Sequence, residues 1–153
     1  MYGFGIDKFS AESFKEQIEI NTIGTVNCLN PVMHEMKWRR NCHIAVVSSL
    51  SAYRGLPYDS AYGASKAALT NMCESLKPEL DKFNVILSLV HPGFVRTPLT
   101  DQNDFEMPFL VDSEFASKRI LEGIRRNKFE IVFPNAFAII MKVLRSMPYS
   151  LYF

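Results

Sequence analysis

Between Ser10 and Trp38 the apolar residues Phe14, Ile18, Val26, Leu29, Met33 and Met36 recur at three- and four-residue steps, which predicts a long amphipathic helix over 10–38. Ser10 stands at its start, and the acidic Glu12 and Glu16 suit the positive end of a helix. Pro31 lies inside the stretch and predicts a kink or break near Asn30, because proline lacks the amide hydrogen and its ring crowds the preceding turn. The period then changes. His43 to Ser48 is apolar and β-branched without alternation, as in a strand buried on both faces of a parallel sheet. Asn84 to Val90 repeats that pattern, and Glu130 to Phe133 repeats it more weakly. Helices are predicted between the strands, over 61–81 and 112–127, the second capped by Asp112 or Ser113.

Strands alternating with helices define the α/β class: a parallel sheet of about three strands with flanking helices and right-handed crossovers. A chain of 153 residues fits a single domain. Three strands are few for such a sheet, and one flank lacks a neighbour, so the chain reads as half a fold.

A composition of 48% hydrophobic and 22% charged residues suits a packed globular protein. Seventeen basic against sixteen acidic side chains argue against a partner held mainly by charge, whether nucleic acid or an anionic membrane. Arg39-Arg40 and Arg125-Arg126 fall near helix ends, where cations complement the helix dipole. Cys28, Cys42 and Cys73 are odd in number and show no Cys-x-x-Cys spacing, which reads as free thiols in a reducing, cytoplasmic setting. His34, His43 and His91 lack metal-ligand spacing, so no metal site is expected. No signal-like segment opens the chain, and the apolar run Ala136 to Met141 is far short of the roughly 20 residues that span a bilayer.

The chemistry gathers around one helix. Tyr62 and Lys66 lie one turn apart on the same face of 61–81. A phenol with an ordinary pKa of about 10 is a poor base near neutrality, and an adjacent ammonium lowers it by about 1–3 units. The pair then becomes a workable proton donor and acceptor. Ser49 leaves its strand at the C-terminal end, where open α/β sheets bind ligands, so its hydroxyl suits the oxygen of a carbonyl or alcohol. Gly63, Ala64, Ser65, Ala67 and Ala68 let a flat ligand approach closely. Taken singly, each has a plainer reading: a tyrosine–lysine pair on a surface helix, a strand-end serine, and, for Asn21, a solvated residue in mid-helix.

Together these residues resemble the short-chain dehydrogenase/reductase family. Tyr62-Gly63-Ala64-Ser65-Lys66 is similar to that family's Tyr-x-x-x-Lys signature in its Tyr-x-Ala-Ser-Lys form, with Ser49 thirteen residues upstream as the family's catalytic serine is. Asn21, in Ile20-Asn21-Thr22-Ile23-Gly24-Thr25, matches the family's helix asparagine, and His91 to Pro98 resembles its Pro-Gly-x-x-x-Thr segment after the sixth strand. The resemblance implies a partial Rossmann-like, doubly wound parallel sheet. It implies an NAD(P)-dependent oxidoreductase that moves hydride between the nicotinamide and a carbonyl or secondary alcohol carbon. Tyr62 would be the acid/base, Lys66 would tune it and hold the nicotinamide ribose, and Ser49 would polarise the substrate oxygen. Asn21 would hold a water in the proton relay, while Pro92, Gly93, Val95 and Thr97 would serve the nicotinamide side. The resemblance further implies a homodimer or tetramer formed through helices 10–38 and 61–81.

The family's glycine-rich pyrophosphate turn has no counterpart here. Gly3-Phe4-Gly5 is short of that fingerprint and follows no strand, and Gly3 instead resembles the glycine of the family's Asn-Ala-Gly segment. The part left out would be three or more strand–helix units, on the order of 90 residues, including those that choose between NAD and NADP. Residues 1–153 are thus expected to form one N-terminally truncated catalytic domain: a fragment, the product of an internal or misassigned start, or a relative that has lost cofactor binding. Two functions stay open, an oxidoreductase active as part of a complete chain and a non-catalytic remnant that associates through its helices.

Between Thr97 and Asp112 runs a loop of the length that substrate lids have. Its Phe105, Met107, Phe109 and Leu110 either line an apolar pocket for a hydrophobic ketone or alcohol or tie the loop to the core. The apolar stretch Asn135 to Phe153 reads as a pocket cap or subunit contact ahead of a membrane-surface segment.

Overall fold

The computed structural model describes residues 6, 9–98, 100–102 and 105–153. Three strands, β1 (Cys42–Val47), β2 (Val85–Pro92) and β3 (Glu130–Phe133), form one parallel sheet in that spatial order. Around it run α1 (Ala11–Ile18), α2 (Gly24–Arg39), α3 (Ser60–Asp81), α4 (Ser113–Arg125), α5 (Asn135–Ser146) and α6 (Tyr149–Tyr152). This is the expected α/β, Rossmann-like arrangement. The segment around Gly3 lies outside the described residues.

The local signals act as their chemistry dictates. Ser10 Oγ accepts the Ser13 amide at 3.2 Å and starts α1. Of the two candidate caps for α4, Asp112 does the work, accepting the Phe115 amide at 2.6 Å. The break foreseen near Asn30 does not occur, and α2 runs unbroken through Pro31. Pro31 and Asn27, the residue whose carbonyl it deprives, both face water, so solvent replaces the missing bond. The helix departs from α geometry earlier instead, in a wide π turn over Glu19–Ile23.

α2 and α3 cover one face of the sheet, where Leu29, Met33 and Met36 pack against a core of Ile44, Val46, Leu69, Cys73, Leu87 and Leu89. α4 covers the other face of β2 and β3 through Val90, Ala116, Ile131 and Phe133. The expected burial of β1 on both faces fails. Ile44 and Val46 are buried, whereas Ala45 is exposed and Val47 is 51% exposed. Among the described residues no helix lies over that outer face, and β1 is also a sheet edge. A third cluster, Leu50 and Tyr53 with Ala138 and Met141, docks α5 on the turn that follows β1.

Candidate active site

The site forms where β1 ends. Ser48 still belongs to the sheet, its amide bonding Val90 O at 2.8 Å. One residue later the chain bends into a 3-10 turn, Leu50–Ala52, held down by Leu50 at 1% exposure. Ser49 caps that turn: its Oγ accepts the Ser51 amide at 3.2 Å and the Ser51 hydroxyl at 3.0 Å. Both bonds use its lone pairs, so the Ser49 proton remains to be donated to a ligand.

α3 brings Tyr62 and Lys66 to the same end of the sheet. Lys66 Nζ donates to Val47 O at 3.1 Å and lies 5.6 Å from the centre of the Tyr62 ring. Burial holds the lysine below its ordinary pKa. A Cβ at Gly63 would stand 3.2 Å from Asp59 Oδ2 and 3.5 Å from Ser51 O, so the glycine lets the turn and the helix meet closely.

Behind the lysine runs a buried polar chain. Ser48 Oγ donates to Lys66 O at 2.9 Å and lies 2.9 Å from Thr70 Oγ1, which is 3.1 Å from His91 Nε2. His91 is 1% exposed, lies 4.6 Å from the Tyr53 ring in a tilted pair, and is held neutral by burial, its pKa pushed down to about 4. With the proton on Nε2, each hydroxyl donates to the next group toward Lys66 O. Only the Nδ1 lone pair is then left without a hydrogen-bond partner, a smaller penalty than a buried N–H left unmade. The backbone that carries Lys66 is thereby fixed from behind.

Asn21 lies within the wide turn and is not the solvated residue of the plainer reading. Its Nδ2 donates to Gln17 Oε1 and to Ser65 Oγ, both at 3.0 Å, and Thr22 Oγ1 donates to Ser65 O at 3.0 Å. The wide turn is thus bonded to α3 at Ser65, between Tyr62 and Lys66. Asn21 meets α3 at Ser65, while Lys66 reaches the Tyr62 ring and Val47 O, two residues before Ser49.

The 92–97 segment leaves β2 beside them. Pro92 pairs with Phe133, and the Gly93 amide bonds Phe133 O at 2.8 Å. A Cβ at Gly93 would come within 3.0 Å of Phe137 and 3.1 Å of Pro134, so α5 packs where a side chain would be. Thr100, which the sequence reading passed over, ties this segment together. Its hydroxyl reaches Val95 O at 2.8 Å and Thr97 O at 2.9 Å, and it accepts the Thr97 amide at 2.8 Å. The only advance signal was a second threonine three residues after the first.

In the following loop, Phe105 and Phe109 are 43% and 46% exposed yet touch an aromatic group. Phe94 lies 5.9 Å from both Phe105 and Phe137, and Phe109 stacks on Phe137 at 5.8 Å. The loop is therefore tied to α5, with both rings partly exposed. Leu99, Asn103 and Asp104 lie outside the described residues. Among the described residues no group of three His, Cys, Asp or Glu could hold a metal ion, and no helix is long and apolar enough to cross a membrane.

Comparison with known proteins places the fold in a family. The family described as short chain dehydrogenase matches residues 3–107, and the chain belongs to that family. An uncharacterized oxidoreductase of Myxococcus xanthus is 36% identical over 135 residues, covering 88% of this chain and 53% of that protein. Retinol dehydrogenase 8 of Bos taurus is 37% identical over 92 residues, covering 60% of this chain and 30% of that protein. The chain therefore spans about half the length of the first relative and less than a third of the second. A short chain dehydrogenase from Burkholderia cenocepacia, crystallised in complex with NADP, superposes with a TM-score of 0.82. That match covers 99% of this chain and 66% of the other at 23% identity, a likeness of fold.

Proposed function

We propose that residues 1–153 supply the catalytic part of an NAD(P)-dependent oxidoreductase acting on a carbonyl or secondary alcohol. The observation that carries this reading is the half-buried Lys66 ammonium, set between Val47 O and the Tyr62 ring while Ser49 keeps a proton to donate. Val47 O takes one of three ammonium donors, leaving two for the hydroxyls of a nicotinamide ribose, so the residues suit that group. The nicotinamide, when bound, gives or takes the hydride. Ser49 donates to the substrate oxygen and concentrates charge there. Tyr62 passes the proton to or from that oxygen, and Lys66 favours its ionised form. Asn21, bonded to Ser65, holds the relay side of α3 in place. Pro92, Gly93, Val95 and Thr97 would serve the nicotinamide side when the cofactor is bound.

The exposed Phe105 and Phe109, with the relative named for retinol, support a hydrophobic substrate. Ile20, Ile23, Val26 and Val32 are exposed along the first helices, which supports association of copies through that face and α3. In a complete protein, Tyr62→Phe removes one hydroxyl and lowers turnover by about 10²–10⁴-fold with the fold intact. Lys66→Ala lowers both turnover and cofactor affinity. Steady-state kinetics with circular dichroism decide: near-normal turnover by Tyr62→Phe refutes the assignment, and no turnover by the parent favours a non-catalytic, associating chain.

A further inference from the structure

Past Ser48 the sheet no longer holds the chain, and the turn that Ser49 caps closes through two backbone bonds, Ala52 N to Ser49 O and Tyr53 N to Leu50 O, each 3.1 Å. Leu50 anchors the turn by apolar burial, which sets its depth but has no preferred direction. Direction comes from the residue that ends the turn. Tyr53 is 6% exposed, and its hydroxyl donates to Glu130 Oε1 on β3. The second carboxylate oxygen, Oε2, accepts from Lys142 Nζ on α5. Side chains alternate along a strand, so Glu130 shares the face of Val132, which packs with Leu50, Tyr53, Ala138 and Met141. Glu130 stands at the rim of that layer with both oxygens paired.

Arg145, three residues further along α5, lies 5.5 Å from the centre of the Tyr53 ring and pairs with Glu74 of α3 at 3.6 Å. α3 is the helix that carries Tyr62 and Lys66. The turn holding Ser49 and the helix holding Tyr62 are therefore gauged against each other twice: by the close approach at Gly63, and by Tyr53 through α5.

We propose that Tyr53 and Glu130 are positioning residues whose hydrogen bond aims the Ser49 hydroxyl at the substrate oxygen. This role presupposes the function proposed above, in which Ser49 donates to that oxygen. A bond from a hydroxyl to a carboxylate is stronger than one between neutral groups, and Lys142 holds the carboxylate from its far side. Without the bond Leu50 stays buried, but the chain on either side of it is free to swing, and Ser49 Oγ moves with it. A misplacement of about 1 Å in such a group costs up to roughly 10²-fold in rate.

Tyr53→Phe tests this cleanly. It removes one oxygen, keeps the ring that meets His91 and Arg145, and leaves Glu130 paired with Lys142. In the complete protein it should lower kcat/KM for carbonyl reduction by about 10–100-fold. The dissociation constant of the cofactor should hold, because Lys66 is fixed by Val47 O and, from behind, by Ser48. Glu130→Ala should be as slow, whereas Glu130→Gln still offers Tyr53 an acceptor oxygen and should restore most of the rate. A role in stability alone is separated by the Ser49→Ala background. With the aimed hydroxyl gone, adding Tyr53→Phe should cost less than about twofold more. Equal losses with and without Ser49 overturn the proposal, as does near-parent kcat/KM in Tyr53→Phe. Glu130→Gln as slow as Glu130→Ala assigns the effect to charge and overturns it as well. Absence of turnover in the parent would refute the proposed function, and amide hydrogen exchange then judges the bond by itself. The Ala52 and Tyr53 amides should exchange faster in Tyr53→Phe while the Ser48 amide, bonded to Val90 O, keeps its rate. Exchange unchanged at Ala52 and Tyr53 overturns the proposal. The Glu130 pair carries the same measurements if Tyr53→Phe fails to fold.

Discussion

Replacing Gly123 by alanine measures how closely α4 is seated on the sheet. A Cβ there would stand 2.5 Å from both Cδ1 and Cγ1 of Ile131 and 3.0 Å from its Cγ2. Carbon atoms pack best at about 3.5–4.0 Å, so roughly 1 Å of movement is required. Ile131 is 4% exposed inside β3, among Val90, Ala116 and Phe133. Its branch at Cβ leaves it stiff about χ1, so the contact is not relieved by swinging a flexible tip. Overpacking of this kind costs about 1–3 kcal/mol, and alanine recovers about 0.5–1 kcal/mol by its better helix propensity. At the middle of both ranges the net loss is about 1.25 kcal/mol, which at a urea slope of about 1.5 kcal/mol per molar lowers the midpoint by roughly 0.8 M. In an Ile131→Ala background the crowding is gone, and the same glycine substitution should stabilise. Urea unfolding of the parent, both single variants and the double variant closes the cycle, with a coupling of about 0.5–3 kcal/mol expected. A Gly123→Ala protein as stable as the parent with Ile131 in place refutes the packing.

Alanine at Phe105, Met107 and Phe109 should change the ranking of ketone substrates by kcat/KM more than it changes melting temperature. A fall in stability with the ranking fixed would make those side chains anchors of the loop. The polypeptide of these 153 residues should bind neither NADH nor NADPH measurably, because its sequence holds no glycine-rich turn after a strand. It should also self-associate, because among the described residues β1 has an unpaired edge, with Ala45 and Val47 exposed beside it. Fluorescence titration with light scattering tests both, and micromolar binding by a monodisperse species refutes them.

The strands were legible because their apolar runs are short and uninterrupted, and β3 falls on the very residues read from the sequence, Glu130–Phe133. Asn21, Ser49, Tyr62 and Lys66 were legible because their spacing is a motif. The bare face of β1 was not: a continuous apolar run looks the same whether a helix covers its second face or nothing does. Pro31 misled because the remedy, water at an exposed carbonyl, depends on which way that part of the helix faces. Ser51 and Thr100 act through side-chain directions at a turn, and nothing in the order of residues states those directions. The wide turn escaped notice because no apolar marker was counted between Ile18 and Val26, so a slip of one residue left no trace in the period.

That wide turn has a consequence for what the chain tolerates. The Gly24 amide reaches back five residues to Glu19 O, so the helix holds one residue more than an α turn needs. At about 100° per residue, the extra one rotates everything before it by about a quarter turn relative to everything after it. The earlier part leans on α3, and the later part turns Leu29, Met33 and Met36 onto the sheet. A uniform α-helix would address one of these surfaces and miss the other. Deleting a single residue from 19–23 restores uniform pitch and swings one half off its support, and inserting one overshoots in the opposite sense. Surface loops absorb such changes of length readily, whereas this stretch, with several residues exposed to water, works as a fixed gauge. Glu19, Ile20 and Ile23, which face water, can be exchanged; the number of residues cannot.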